Sequence, residues 1–437
     1  MESEIRELLS ARGKEIARIV GCRSQAERKD SLNRVLRDVL TDSGVCYVDG
    51  ALARYDGAGY VPVTMADIRD CVVNVLGDMG VGASDLGRMG DTSYSVLRRK
   101  EHCSDGNLVA FSNCVYDVVS GRTLNFDRGL FPKRCLPYAF DANAGCSTWE
   151  AFLAEVLPDA SMRDVLQEFF GMCFVDRDAL SIEKMALMVG SGANGKSVVC
   201  DVMRAVLGGG GNVGNLSPDQ LQDQKQIAGL DGMLLNIAPD VRRGASFDSA
   251  LKALSSSQEI TGWKLYSGGV TVKCPPLAFA LNEMPYFRDT TDAFFRRLLV
   301  FRFDVVIPEE RQDRSLAARI VSTESCGVFR WMMEGRRRLL ANRGMFTRCA
   351  AMDAALSELK DEVKTVQSPV LQFIDGMGYS VVPYFEGQLP ERVPASNIVD
   401  GMGGTATKYM VTKELRKAGV ETSRGGSDLF YHLFKIV

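Results

Sequence analysis

With 437 residues, 46% of them hydrophobic and 24% charged, the chain has the composition of a soluble globular protein and is long enough for about two to four domains. A net charge of −3 excludes the global basic field of a protein that passively coats nucleic acid, though not a machine whose basic residues line an internal channel. Twelve cysteines stand singly, without a C-x-x-C pair and with only two histidines to join them; this points to free thiols in a reducing compartment rather than to a structural zinc site.

The first residues, Met1-Glu-Ser-Glu-Ile-Arg6, carry no basic-then-apolar signal, and no run of about 18 apolar residues occurs, so an intracellular protein away from membranes is expected. Residues 1–40 are charged and helix-periodic, with Ile5, Leu8, Leu9, Ile16 and Ile19 followed by Leu32, Val35, Leu36 and Val39. Two short strand-like runs punctuated by Gly50 and Gly57 come next, and helical patterns resume from Met65 to about Leu97. The stretch from Asn107 to Gly121 reads as strand, turn, strand. Ser147-Thr-Trp-Glu150 has capping-box spacing and opens a pair of helices, the second of which spans Met162 to Val175; they form a collar between two domains.

Met185-Ala-Leu-Met-Val189 is an apolar run that breaks into Gly190-Ser191-Gly192-Ala193-Asn194-Gly195-Lys196-Ser197-Val198. The spacing GxxxxGKS is a phosphate loop: glycines let backbone N–H groups converge on phosphate oxygens, Lys196 reaches the β- and γ-phosphates, and the Ser197 hydroxyl ligates Mg²⁺ at the positive end of the next helix. The same residues spell Gly190-x-Gly192-x-x-Gly195, a dinucleotide fingerprint, but that fold has no use for Lys-Ser and wants an acidic strand end about 20 residues on, where this chain has the loop Gly208-Gly-Gly-Gly211. ATP with Mg²⁺ is therefore the expected ligand pair.

Strands and helices alternate from about 183 to 345, the pattern of a doubly wound α/β sheet. Met233-Leu-Leu-Asn-Ile-Ala-Pro-Asp240 is an apolar strand ending in a carboxylate suited to Mg²⁺ and water. Leu277-Ala-Phe-Ala-Leu-Asn282 ends in an amide that can bind the attacking water or the γ-phosphate, or simply make a turn before Pro285. Arg296-Arg297 precedes a further apolar strand, where one of the two can reach the γ-phosphate of a neighbouring subunit. Beyond the charged linker helix at Glu358–Lys364, a helix with Lys408, Lys413, Arg416 and Lys417 is followed by a Gly-Gly turn and a strand, which suits a winged helix and equally a small α+β cap.

In this order GxxxxGKS, strand-Asp240, strand-Asn282-Glu-x-Pro285 and Arg296-Arg-Leu-Leu-Val300 resemble the superfamily 3 helicases, specifically the phage, plasmid and poxvirus primase-helicase branch. Phe111-Ser-Asn-Cys-Val-Tyr-Asp117, Leu136-Pro-Tyr-Ala-Phe140 and Trp149-x-x-Phe152-Leu resemble its lead-in domain, and Leu166-Gln-Glu-Phe-Phe-Gly171 its collar. The likeness covers roughly residues 45–310. It departs at Ser256-Ser257-Gln258, where the branch has Ser-Gly-Asp, at Trp263 in place of an Arg, and at Cys114 in place of a Gly.

The resemblance implies an AAA+-like P-loop motor at 183–345, an α+β lead-in domain at 1–145, a helical collar at 146–182, and a linker helix with a winged-helix-like domain at 346–437. It implies a homo-oligomeric ring, most often a hexamer, that hydrolyses ATP between subunits and translocates 3′ to 5′ on single-stranded or forked DNA in the cytoplasm of a bacterial host. The 259–273 hairpin would then enter the channel, with Lys264 and Lys273 on phosphates and Tyr266 or Trp263 stacking on bases. Priming would come from a separate primase, since residues 1–150 leave no room for a polymerase site. An origin-binding initiator that uses ATP only for assembly is the alternative.

Overall fold

The computed structural model describes every residue except 1, 49–50, 58–59, 83–100, 103–104, 242–245, 248, 257–258, 265–267, 283–285, 288–290, 367–368, 381–388, 405, 418–419, 426–427 and 436–437. The chain divides into two compact units, one made of 1–147, 202–212 and 318–333, the other of 148–201, 213–317 and 334–437.

The first unit begins with three helices, Glu2–Ala11, Gly13–Val20 and Gln25–Asp42, where the sequence reads as one helix-periodic stretch. Ser24 caps the third by accepting a bond from the Glu27 N–H. Ile5, Leu9, Ile16, Leu32, Leu36 and Val39 form one core with Ile68, Val75 and Leu76 of the helix Met65–Asp78. That helix opens with a complete Thr64/Asp67 capping box. It ends at Asp78; the continuation expected toward Leu97 lies largely outside the described residues.

The strand-turn-strand of the lead-in forms as expected, with Asp105–Ala110 antiparallel to Val115–Asp117 and parallel to Pro132–Cys135. Phe111, Tyr116 and Phe140 meet Phe329 in an edge-to-face cluster with ring centroids 5.0–6.4 Å apart. The aromatics that carry the lead-in resemblance therefore build a core.

In the second unit, five strands form one parallel sheet: β1 Met185–Val189, β2 Val213–Gly214, β3 Leu235–Ala238, β4 Leu277–Leu281 and β5 Leu298–Arg302, in the order β2-β3-β4-β1-β5. Every residue of β1, β3 and β4 is buried, as a parallel sheet covered on both faces requires. Met185, Leu187, Phe279, Leu281 and Val300 lead the core of one face.

The helix Ala350–Val366 contains the segment expected to be a charged linker. Instead it packs against that core through Ala355, Leu359 and Val363, because apolar residues at i, i+4 and i+8 make a buried stripe beneath the charges. The collar helices Ser147–Val156 and Ala160–Gly171 are present. Glu168, fully buried, is held by Arg338 Nε at 2.7 Å, the Thr347 N–H at 2.8 Å and the Thr347 hydroxyl at 2.6 Å. Gly335 lets the helix Leu316–Ala341 touch this collar, since a Cβ there would collide with the Gln167 carbonyl.

The C-terminal part has its own core, built by Val370, Ile374, Ile398, Val411, Leu415, Tyr431 and Leu433. Its elements run helix Pro369–Gly376, strand Glu391–Pro394, helices Ala395–Gly401 and Lys408–Lys417, and the hairpin Thr422–Gly425/Asp428–Lys435, whose second strand also pairs with Glu391–Pro394. Among the described residues no helix is long and apolar enough to cross a membrane.

Candidate nucleotide site

The phosphate loop hangs between the end of β1 and the helix Lys196–Val206, in a conformation that its glycines permit. Gly190 has no space for a Cβ, which would meet the Phe303 carbonyl and the Asn194 amide. Gly192 and Gly195 sit at φ +117° and +87°, in the left-handed region, and Ala193 between them at +49°. A Cβ on Gly195 would lie 2.8 Å from the Phe152 ring, so the collar helix presses on the loop. From the other side, the Ile307 N–H donates to the Ala193 carbonyl at 2.8 Å and the Asn194 amide to Phe303 O at 2.9 Å. The exit from β5 thus anchors the loop.

Lys196 is 5% exposed and donates from Nζ to the Gly190 carbonyl at 2.6 Å and to Asn194 Oδ1 at 2.8 Å. Both partners are neutral oxygens. Desolvation by burial pushes its pKa below that of an ordinary lysine. The adjacent helix start adds its dipole and free N–H groups to the same point.

Asp240 and Asn282 stand just past the ends of β3 and β4, on the carboxyl edge of the sheet where α/β proteins bind ligands. With residues 192–198, both line one cavity of about 490 Å³. The sheet order explains the meeting: β4 lies between β1 and β3, so the three strand ends place lysine, amide and carboxylate side by side. Ser197 and Asp240 offer a hydroxyl and a carboxylate in that cavity, a donor set that fits a hard cation such as Mg²⁺, which takes one or two protein oxygens and draws the rest from phosphates and water.

Sequence reasoning missed part of this wall. Phe152 and Glu155 come from the collar, and Ile307, Arg311, Gln312 and Arg314 from the segment after β5. Arg311 is ion-paired with Glu155 across the lining. The run Glu309-Glu-Arg-Gln-Asp-Arg314 offers no local mark that distinguishes it from a solvated turn.

The two arginines are not equivalent, and neither lines the cavity. Arg297 is buried, with Nη2 2.7 Å from Glu183 and a further bond to the Ala293 carbonyl. Arg296 keeps a side chain 66% exposed, 3.3 Å from the same Glu183. Lys184 donates to the Arg296 carbonyl at 2.6 Å and fixes this turn.

The expected hairpin is present, Glu259–Lys264 pairing antiparallel with Gly268–Lys273. Trp263 is 49% exposed. Lys273 lies 2.6 Å from Asp178 and 3.6 Å from Asp176, and the hydrogen bond to Asp178 raises its pKa above the ordinary lysine value. Tyr266 lies outside the described residues, as do Glu283, Pro285, Ser257 and Gln258, and the Lys264 side chain is likewise not described.

Residues 91–158 match the family described as "D5 N terminal like", and residues 188–297 match a family of unknown function, DUF5906. A protein of Acanthamoeba polyphaga mimivirus named "Putative helicase" is 25% identical over 214 residues, which are 45% of this chain and 22% of that protein. The chain thus spans about a fifth of that relative. Among solved structures, the A form of the apo C-terminal region of NrS-1 aligns over 92% of this chain and 98% of its own, at 11% identity and a TM-score of 0.48. A second structure of that region aligns over 92% and 99%, at 10% identity and a TM-score of 0.43. The sequence similarity is to helicase-like proteins of the phage and viral replication type.

Proposed function

We propose that the chain is an ATP-hydrolysing, ring-forming DNA helicase of superfamily 3, acting in replication of a phage or other mobile element. The observation that carries this reading is the convergence of Lys196, Ser197, Asp240 and Asn282 on one cavity beneath a phosphate loop. The order β2-β3-β4-β1-β5, with the Asn282 strand inserted between the lysine and carboxylate strands, supports an AAA+-like motor.

In this reading the triphosphate draws Lys196 Nζ from the Gly190 carbonyl and Asn194 onto the β- and γ-phosphates, and Arg311 from Glu155. Asn282 orients a water in line with the γ-phosphorus. Its oxygen bonds to phosphorus as the bond to the β–γ bridging oxygen breaks, releasing ADP, phosphate and a proton. Bound Mg²⁺, held by Ser197 and Asp240, would neutralise charge on the bridging phosphates. Arg296, exposed at the rim of its turn, serves as the finger that completes a neighbour's site, while Arg297 braces it through their shared Glu183.

The 259–273 hairpin carries the DNA contact. Lys264 leads, since Lys273 is engaged by two carboxylates that a DNA phosphate must displace. Translocation from 3′ to 5′ on single-stranded or forked DNA, a hexameric ring, a separate primase or initiator and a bacterial host cytoplasm follow from the superfamily reading. The order of helices and strands in residues 369–435 supports a winged-helix-like domain.

The decisive experiment measures ATP hydrolysis and unwinding of a tailed duplex of arbitrary sequence by wild type and Lys196→Ala. Loss of both activities in the variant is the expected result; equal unwinding by the two proteins would sink the motor reading. A wild type that hydrolyses ATP yet never unwinds would favour the assembly ATPase.

A further inference from the structure

The spacing GxxxxGKS leaves position 194 open to any residue, yet Asn194 is 2% exposed and both ends of its amide are bonded. Nδ2 donates to the Phe303 carbonyl at 2.9 Å, and Oδ1 accepts from Lys196 Nζ at 2.8 Å. A carbonyl can only accept and an ammonium can only donate, so the two partners fix which way the amide points. Gly190 makes the room, since a Cβ there would collide with Asn194 Nδ2 and with the Phe303 carbonyl. A motif glycine and an open position of the loop are thus fitted to each other.

The other ties of the loop do not pass through this side chain. The Ile307 N–H reaches the Ala193 carbonyl at 2.8 Å, the Phe303 N–H the Val189 carbonyl at 2.7 Å and the Gly190 N–H the Leu281 carbonyl at 3.1 Å. These backbone bonds hold the loop whatever side chain stands at 194. What the amide alone supplies is a neutral acceptor for the lysine, aimed by the bond its other end makes to Phe303. A carboxylate at 194 would accept from the lysine but has no N–H for the Phe303 carbonyl.

We infer that Asn194 is a positioning residue that sets nucleotide affinity: in the empty site it holds Lys196 on a neutral oxygen, and a triphosphate must take the lysine from it. The inference rests on the nucleotide reading above and adds a competitor built into the loop itself. Hydrogen bonds from an ammonium to charged phosphate oxygens are stronger than those to neutral ones, so the lysine transfers when a triphosphate arrives. The bond to Asn194 that is lost on transfer is subtracted from the binding free energy. Removing the amide therefore removes the competitor, and a carboxylate in its place strengthens it.

The test titrates the full chain, with Mg²⁺, against an ATP analogue that has an imido β–γ bridge and a fluorescent ribose label. Asn194→Ala should bind it about two- to fivefold more tightly than wild type, and Asn194→Asp at least about tenfold more weakly. The signs are opposite because one change removes a neutral partner of Lys196 and the other makes that partner anionic. Both substitutions lose the Nδ2 donor, so an amide that served only to brace Phe303 would move both affinities the same way. If the carboxylate disturbs folding, seen as a lowered melting temperature, the sign of the Asn194→Ala change decides alone. Unchanged or weaker binding by Asn194→Ala would overturn the assignment and leave the motor reading standing, whereas a wild type that binds no triphosphate would overturn both.

Discussion

The phosphate loop and the 259–273 hairpin both belong to the second unit, both depend on glycines, and they are built in opposite ways. In the loop each polar group of Lys196 and Asn194 is satisfied within the chain, and Gly190 and Gly195 are packed too tightly for a methyl group. In the hairpin Gly262 is wedged against Val272 and Ala228, but outward from it Trp263 is half exposed and Gly269 has room, its Cβ position 3.7 Å from Thr261. One region is closely packed and internally hydrogen-bonded. The other is a two-stranded surface on which Trp263 stays half exposed and Lys273 pairs with Asp178 and Asp176.

The contrast is sharpest at Lys196. If the proposed motor reading holds, Lys196→Ala should lower ATP hydrolysis by about 10²- to 10³-fold or more, since it removes the buried lysine that lines the cavity, while circular dichroism stays native. A comparable loss from a hairpin variant in the absence of DNA would break the comparison.

Gly190→Ala should destabilise the protein by about 2–4 kcal/mol in urea unfolding, because the added methyl meets a carbonyl and cannot rotate away. Gly269→Ala in the hairpin should cost less than about 1 kcal/mol. Equal costs would mean that the hairpin is packed as closely as the loop.

Arg297→Ala removes a buried side chain bonded to Glu183 and the Ala293 carbonyl, leaves a cavity in its place, and should cost about 2–4 kcal/mol. Arg296→Ala, at an exposed site, should stay within about 0.5 kcal/mol in unfolding yet lose hydrolysis in the assembled form. A silent Arg296→Ala in hydrolysis would remove it as the finger.

The smallest expected effect is at Asp178→Asn. Lys273 is half exposed, so its pairing contributes little to stability. Its folded pKa is raised, so whatever the pair contributes is fully present below the unfolded lysine pKa and lost only as pH rises through the folded value; between pH 6 and 8 that contribution should be constant, with no pH dependence of stability from it. Freed from Asp178, Lys273 should raise affinity for single-stranded DNA by about two- to fivefold, measured at low salt.

Much of this architecture is legible in the sequence. The strands ending in Gly190, Asp240 and Asn282 are continuous apolar runs broken by turn residues, and the hairpin alternates around Gly268-Gly269; each is a local pattern that its own residues specify. The helix at Ala350–Val366 shows the limit of that approach. Its charges suggested a linker, while the apolar stripe at Ala355, Leu359 and Val363 is short enough to be passed over and becomes decisive only when a sheet face needs covering.

The sequence alone determined the chemistry available: a phosphate loop, a carboxylate and an amide at strand ends, paired arginines and a basic C-terminal helix. Tertiary structure decided which of these groups meet. Strand order, which no local pattern encodes, put Asn282 between Lys196 and Asp240. Burial, which depends on what packs above, separated Arg296 from Arg297 although they are neighbours in the chain. Phe152, Glu155, Arg311 and Arg314 reached the cavity from segments far from the loop in sequence, because the chain closes the site by returning to it from both sides.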